Sequence, residues 1–300
     1  MVFIIFITIR GEQMKINKKF VKLIIILLSI SLIFLIYTIY NYSIKTSLTL
    51  PSKDKLLVHY IDVDQGDSIL VQFNNKNLLI DAGPNNKKTF SYLKRHKIKK
   101  LDYVIITHPH DDHIGGMSHI INHFNINKFY SPNITANTDS FKNMLLSLNK
   151  RGLKVTSISS EIRLDLKEKV CCFIIPSYSN HDNLNNYSLI IKITYNNTSF
   201  LFSGDAESLR EEELINKGYN LSADVLKVGH HGSKSSTSQK YLDEVNPKIA
   251  VISCGKGNDY GHPHKETLLK LKEKGIITFR TDIDKTIVLE SDGNKIVKRK

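Results

Sequence analysis

The sequence predicts an α/β fold, with two sheets face to face and helices outside, preceded by one transmembrane helix. Three observations carry this. An uncharged apolar run of 18 residues, Leu23 to Tyr40, stands near the N-terminus. Over the 250 residues from Pro51 to Lys300, short apolar strands alternate with helical patterns, the signature of layered sheets and helices. Clusters of His, Asp and Gly recur where apolar strands end, the place where ligand sites on α/β sheets gather.

The apolar run is close to the shortest helix that spans a bilayer. Lys15, Lys18, Lys19 and Lys22 precede it, and Tyr37, Tyr40 and Tyr42 follow. The positive-inside rule therefore keeps residues 1–22 in the cytoplasm and sends the rest outside. No small-x-small cleavage site or lipobox cysteine follows, so an uncleaved signal-anchor over 23–42 is expected; cleavage would make the protein secreted. Residues 1–13 are unlike a normal start, and Met14 followed by KINKKF is the expected one. Residues 43–54 read as a polar tether and 55–300 as one large domain.

In that domain, strands are expected at 57–62, 68–73 and 78–81, with turns at Gly66 and Asn74-Asn75, then a helix over 89–97. The strand 102–107 is apolar on both faces and so central. Helices over 114–124 and 140–150 follow, then strands near 155 and 162 and at 170–175, and a polar loop over 176–186. A hairpin turns over Asn196-Asn197, between strands 188–194 and 199–203. After a helix over 207–217 and a strand at 224–228, the chain alternates helix 239–245, strand 249–253, helix 265–274 and strand 277–281. A hairpin over 284–297 ends it. The strands are expected to be mostly antiparallel.

Composition narrows the function. A 41% hydrophobic, 24% charged chain is neither disordered nor fibrous. Three cysteines exclude a disulfide framework and a Cys-rich zinc module. The net charge is +13 (42 minus 29), of which residues 1–50 carry +5. The remaining +8 suits an anionic substrate only weakly.

The strongest chemical signal is Thr107-His-Pro-His-Asp-Asp-His-Ile-Gly-Gly116. His108 and His110, two apart at the end of a buried strand, converge on one cation, and Asp112 with His113 faces a second. Imidazole and carboxylate donors suit Zn²⁺, Mn²⁺ or Fe. Gly115-Gly116 lets the next helix start tightly against the site. Further ligands are expected at strand ends: Asp205 of Phe202-Ser-Gly-Asp205 as a bridge, and His230 of Val228-Gly-His-His-Gly-Ser233 on the second cation. His231 lies behind it or toward substrate. Ser233 and Lys234, in the run to Ser236, could hold phosphoryl oxygens or simply cap a loop. His262 and His264 face substrate or open a helix. No aromatic-plus-basic stripe supports sequence-specific nucleic-acid recognition.

The chain resembles the metallo-β-lactamase superfamily, in the branch similar to the C-terminal domain of ComEC/Rec2 DNA-uptake proteins. The resemblance rests on Asp62-Val-Asp-Gln-Gly-Asp-Ser68, Leu79-Ile-Asp-Ala-Gly83, Thr107 to Gly116, Asn186-Tyr-Ser-Leu189, Phe202 to Glu207, Leu226 to Ser233 and Tyr260-Gly-His-Pro-His264. It implies a four-layer αββα sandwich with two divalent metal ions, zinc or manganese, at one edge. His108 and His110 would hold one metal, Asp112, His113 and His230 the other, and Asp205 would bridge. Two departures stand out. Where many relatives have a further His, this chain has Asn185-Asn-Tyr-Ser188, so an Asn side chain, water or the remote His181 would serve. Asp64 stands where the family usually has Gly.

The implied activity is an outward-facing, membrane-anchored hydrolase of phosphodiesters in DNA or nucleotides. A metal-activated water attacks, and Asp112 orients it and shuttles its proton. DNA, bound without sequence specificity, and a separate DNA-uptake channel protein are the expected partners. The alternatives are hydrolysis of a lactone, thioester or β-lactam, and a metal-stabilised binding domain without turnover.

Overall fold

The computed structural model describes residues 8–9, 12–13, 18–47, 53–167 and 169–299. The chain divides into two compact units, Met1–Leu50 and Pro51–Lys300. The first holds two paired two-residue strands, β1 (Thr8–Ile9) and β2 (Glu12–Gln13), and helix α1 (Lys18–Ser47). Within α1 the window Val21–Ile39 is long and apolar enough to cross a membrane. At 1.5 Å per residue its 19 residues span roughly 28 Å, close to a bilayer's hydrocarbon thickness. The proposed start at Met14 and residues 48–52 of the 43–54 tether lie outside the described residues; residues 43–47, expected as tether, instead continue helix α1.

The second unit opens with strands β3 (Leu56–Tyr60), β4 (Ile69–Phe73) and β5 (Lys76–Ile80). Helix α2 (Lys88–Arg95), strand β6 (Lys100–Ile105), helices α3 (Asp111–Ile114) and α4 (Met117–His123), and strand β7 (Asn125–Pro132) follow. Helix α5 (Asp139–Lys150) and strand β8 (Val155–Ile158) complete this half. The second sheet takes β9 (Ile162–Lys167), β10 (Val170–Ile175), β11 (Ile190–Tyr195) and β12 (Thr198–Phe202). Then come α6 (Ser208–Asn216), β13 (Val225–Lys227), α7 (Gln239–Val245), β14 (Ile249–Ile252), α8 (Lys265–Glu273) and β15 (Ile277–Arg280). After the short helix α9 (Thr281–Asp284), β16 (Ile287–Ser291) and β17 (Ile296–Lys298) return to the first sheet.

The strand orders are β17-β16-β3-β4-β5-β6-β7-β8 and β15-β14-β13-β12-β11-β10-β9. Strict alternation sorts the side chains. Val58, Val71, Leu78, Ile191, Phe200 and Val251 point between the sheets. Leu70, Leu79 and Val104 meet Leu93, Ile120 and Met144 of the outer helices on one flank. Leu201, Leu226 and Ala250 meet Leu214, Leu242 and Leu271 on the other. The result is helix, sheet, sheet, helix.

Two expectations are corrected. The sheets are half parallel: β5 through β8 and β12 through β15 run in one direction. Helices or long connections separate most of these strands, and only such crossovers can return a chain parallel to itself. The helix expected over 114–124 is broken into α3 and α4 at Gly115-Gly116, where a Cβ on Gly116 would lie 2.4 Å from the Ala82 carbonyl.

One buried ion pair ties the sheets together. Lys227 Nζ on β13 lies 3.0 Å from Asp67 Oδ2, ahead of β4, with both side chains inaccessible. Lys227 Nζ also donates to the Val228 carbonyl.

Phe202→Ala, which empties the centre of the inter-sheet core, is expected to cost about 3–5 kcal/mol in denaturant unfolding of the full chain. Lys227→Met strands the Asp67 carboxylate and is expected to cost about 3–5 kcal/mol, with Asp67→Leu added to it recovering part of the loss.

Candidate metal centre

The ends of β5, β6, β12, β13 and β14 open onto one edge of the sandwich. Backbone hydrogen bonds bind the loops there: Ala82 N to the His113 carbonyl, Leu189 N to Thr107, and His230 N to Gly204. Gly66 passes so close to the metal-motif turn that a Cβ would fall 2.1 Å from the Asp112 carbonyl, at a φ of +132°; only glycine fits there. His230 and His231 are consecutive left-handed residues, with φ of 45° and 53°. Such conformations cost on the order of 1–3 kcal/mol each and persist where surrounding contacts fix them.

That turn separates the two imidazoles. His231 is buried, with Nε2 3.1 Å from Asp112 Oδ2 and 3.3 Å from Asp205 Oδ2. His113 Nε2 is 3.2 Å from Asp205 Oδ1. One ligand atom from each of Asp112, His113, Asp205 and His231 falls within 4.8 Å of all the others. Beside them His108 Nε2 and His110 Nδ1 lie 3.0 Å apart, and His108 Nε2 is 3.9 Å from Asp205 Oδ2. Asp205 therefore adjoins both groups.

Do these residues fit a metal? His113 Nε2, His231 Nε2 and Asp205 Oδ1 are buried and make no hydrogen bond. Orphaned buried donors and acceptors are costly, and here they converge on one point, as ligand atoms do. The opposite ring nitrogens are held. His113 Nδ1 is 2.8 Å from Asp81 Oδ2, His231 Nδ1 is 2.9 Å from the Ser253 carbonyl, and His108 Nδ1 faces the hydroxyls of Thr107 and Ser188. Such outer partners orient imidazoles for coordination. Asp81 also accepts from Thr107 N and Oγ1.

The electrostatics point the same way. Burial opposes charge on His113 and His231, yet the carboxylates of Asp205 and Asp112 overcome it. His113 is held well above the ordinary imidazole value and His231 is raised to about 10. Burial likewise opposes the charge of Asp205 and Asp112, and the same imidazoles hold both below the usual carboxylate range. His108, by contrast, is pushed well down by burial and by His113, leaving a neutral ligand. The cluster calls for positive charge.

The edge opens into a cleft of about 680 Å³ lined by His110, Asp112, Asn185, Asp205, His231 and His262, among others. Asn185 Oδ1 and His262 Nδ1 are buried without a partner.

The structure brings His108, His110, Asp112, His113 and Asp205 together. It differs from expectation at the second histidine pair: His231 stands in the ligand cluster where His230 was expected. His230 Nε2 lies 3.8 Å from Asp205 Oδ2, about as far as His108, but outside the four mutually close ligand atoms; its Nδ1 is 3.4 Å from Glu207 Oε1, and the left-handed turn places it on the cleft wall. Ser233, Lys234 and His264 do not line the cleft. The Ser233 hydroxyl bonds Ser235, and the Lys234 amide donates to His264 Nδ1, so these groups brace the loop. His181 packs against Ser177 and Tyr187 instead of the cleft. Asp64, at a left-handed φ of 64° that explains the family's glycine, points outward to Lys88. Asp67, Asp81 and Lys227 were given no role from sequence; the LIDAG and QGDS motifs were the signal for the two carboxylates.

The sequence profile described as the metallo-beta-lactamase superfamily matches residues 61–256. The chain is 31% identical to ComE operon protein 3 of Bacillus subtilis over 77% of its own length and 32% of that protein's. It is 28% identical to Competence protein ComA of Neisseria gonorrhoeae (74% and 30%) and 33% identical to Recombination protein 2 of Haemophilus influenzae (73% and 27%). It thus spans about a third of the length of these curated relatives. The crystal structure of YhfI from Bacillus subtilis, a metallo-beta-lactamase fold protein, superposes with a TM-score of 0.55 at 14% identity, covering 79% of this chain and all of that one; at that identity it speaks for the fold alone. Because the superfamily profile covers well over half of the sequence, the chain belongs to the metallo-beta-lactamase superfamily of metal-dependent hydrolases, with homologues in the ComEC/Rec2 family.

Proposed function

We propose that this chain is a membrane-anchored hydrolase, facing outside the cytoplasm, that uses two divalent cations, zinc or manganese, to cleave phosphodiester bonds of DNA or nucleotides. The observation that carries the reading is the convergence of ligand atoms of Asp112, His113, Asp205 and His231, three of them buried without a hydrogen bond, on one point, with the His108 and His110 imidazoles beside Asp205. His108 Nε2, His110 Nδ1 and Asn185 Oδ1 would hold one cation, and Asp112, His113 and His231 the other. When bound, such a pair supplies Lewis acidity and a water acidic enough to be a nucleophile near neutral pH.

The chain's own groups do the rest. Asp112, kept ionised by His113 and His231 against its burial, is part-exposed at the cleft and placed to accept the proton of the attacking water. His262, pushed to about 4 by burial and by the neighbouring histidines, stays neutral and offers its unpartnered Nδ1 to a substrate oxygen. Ser188 Oγ accepts from Asp205 N and faces His108, holding two of the ligands in register. The apolar window of α1 and the lysines before it favour anchoring with the catalytic unit outside. The names of the competence and recombination relatives favour a role in DNA uptake, alongside a separate channel protein.

The test uses the full chain in detergent. Stripping with EDTA is expected to abolish hydrolysis of DNA and bis(p-nitrophenyl) phosphate, and Mn²⁺ or Zn²⁺ to restore it. His108→Ala and Asp205→Ala should lower kcat/KM by roughly two to three orders of magnitude, the effect of removing one group that stabilises a transition state. Turnover of a lactone or β-lactam without phosphodiester cleavage would overturn the substrate class.

An amide oxygen is a harder donor than imidazole and favours Mn²⁺ over Zn²⁺. Asn185→His is therefore expected to raise the ratio of zinc to manganese affinity, read by competition with a chelating dye. An unchanged ratio would remove Asn185 from the ligand set.

A further inference from the structure

The metal cleft does not end at the metals. Asn85 and Ser140 line it, and both also line a second depression of about 330 Å³. This trough runs between α4 and α5. One face of α5, Ser140, Asn143, Ser147 and Lys150, forms its wall. Asn122 of α4 ties the two helices by donating to Ser147 Oγ. From Ser140 at the junction to Lys150 at the far end is ten residues of one helix, roughly 15 Å.

The chemistry of the trough differs from that of the cleft. Asp111, Asp112 and Asp205 line the cleft, and among the described residues no carboxylate lines the trough. Amides, hydroxyls, the His119 imidazole and one ammonium do. Leu146, two-thirds exposed, adds an apolar surface. Hydrogen-bond donors, a cation and an apolar contact, without opposing charge, complement a sugar-phosphate strand, whose oxygens accept and whose bases and sugars pack. Stacked nucleotides advance roughly 3.4 Å each, so the wall matches about four of them.

We propose that the α4–α5 trough is a binding subsite for a single polynucleotide strand leading into the metal cleft, with Lys150 at its far phosphate. The inference rests on the phosphodiesterase reading above and deepens it: the substrate is a polymer that extends well past the scissile bond. A mononucleotide or small ester would leave the trough unused.

The experiment compares two substrates on the full-length, manganese-loaded chain in detergent. Bis(p-nitrophenyl) phosphate is too short to reach Lys150 from the cleft, and labelled dT12 is long enough. The ratio of kcat/KM for dT12 to that for the small diester is expected to fall at least about tenfold in Lys150→Glu, and less in Lys150→Ala and Asn143→Ala. For Lys150→Ala the slope of log affinity for dT12 against log salt should fall by about 0.7, one single-strand phosphate contact. Unchanged ratio and slope in these variants overturn the strand path and leave the phosphodiesterase reading standing. If the wild type cleaves neither substrate but binds dT12 more tightly than Lys150→Glu, the path stands and the phosphodiesterase reading falls. Failure of the wild type to bind or cleave dT12 overturns the path.

Discussion

The constraint on which the site depends is the burial of negative charge at one seam. Asp67, Asp81, Asp112 and Asp205 all surround His113 or its neighbour His231. Ionised groups survive out of water only when paired. Lys227 pairs with Asp67 from the opposite sheet. His113 is shared between Asp81 behind it and Asp205 in front. What remains at Asp112 and Asp205 is buried negative charge faced only by the His113 and His231 imidazoles, whose protons a cation would displace.

This buried charge explains local features that would otherwise be costly. Two left-handed histidines, a glycine against the Asp112 carbonyl and a helix interrupted at Gly115-Gly116 all lie along the same edge. Each lets backbone approach closely or turns a side chain inward. The sandwich tolerates them because its three apolar layers, one between the sheets and one under each helix flank, are built elsewhere and hold the edge in place. Departures from local preference that concentrate at one edge are the mark of a functional site.

The cleft and the trough differ in charge. The metal-side carboxylates would repel a phosphate until cations cover them. The trough, free of acidic residues among those described, needs no such neutralisation. On the proposed strand path, an anionic chain would be drawn along a surface that accepts it toward a centre that would accept it only when loaded with metal.

The sequence alone determined a great deal here. Short apolar runs in β4, β5, β11 and β12 set the two-sided sheets, because successive side chains face opposite ways and a run without alternation covers both faces. The spacing of His108, His110, Asp112 and His113 placed four donors within one turn, a local property that no distant residue alters. Strand direction was not legible, because parallel and antiparallel pairing is chosen by crossovers between residues far apart in sequence. Nor was the choice between His230 and His231: they are adjacent and chemically identical, and their spacing from every other motif differs by a single residue. Only the left-handed turn, held by Gly204, Ser253 and Glu207 from other segments, decides which ring enters the cluster. The roles of Asp67, Asp81 and Lys227 came from the same source, since a buried charge is recognised by what surrounds it, and that is assembled only in three dimensions.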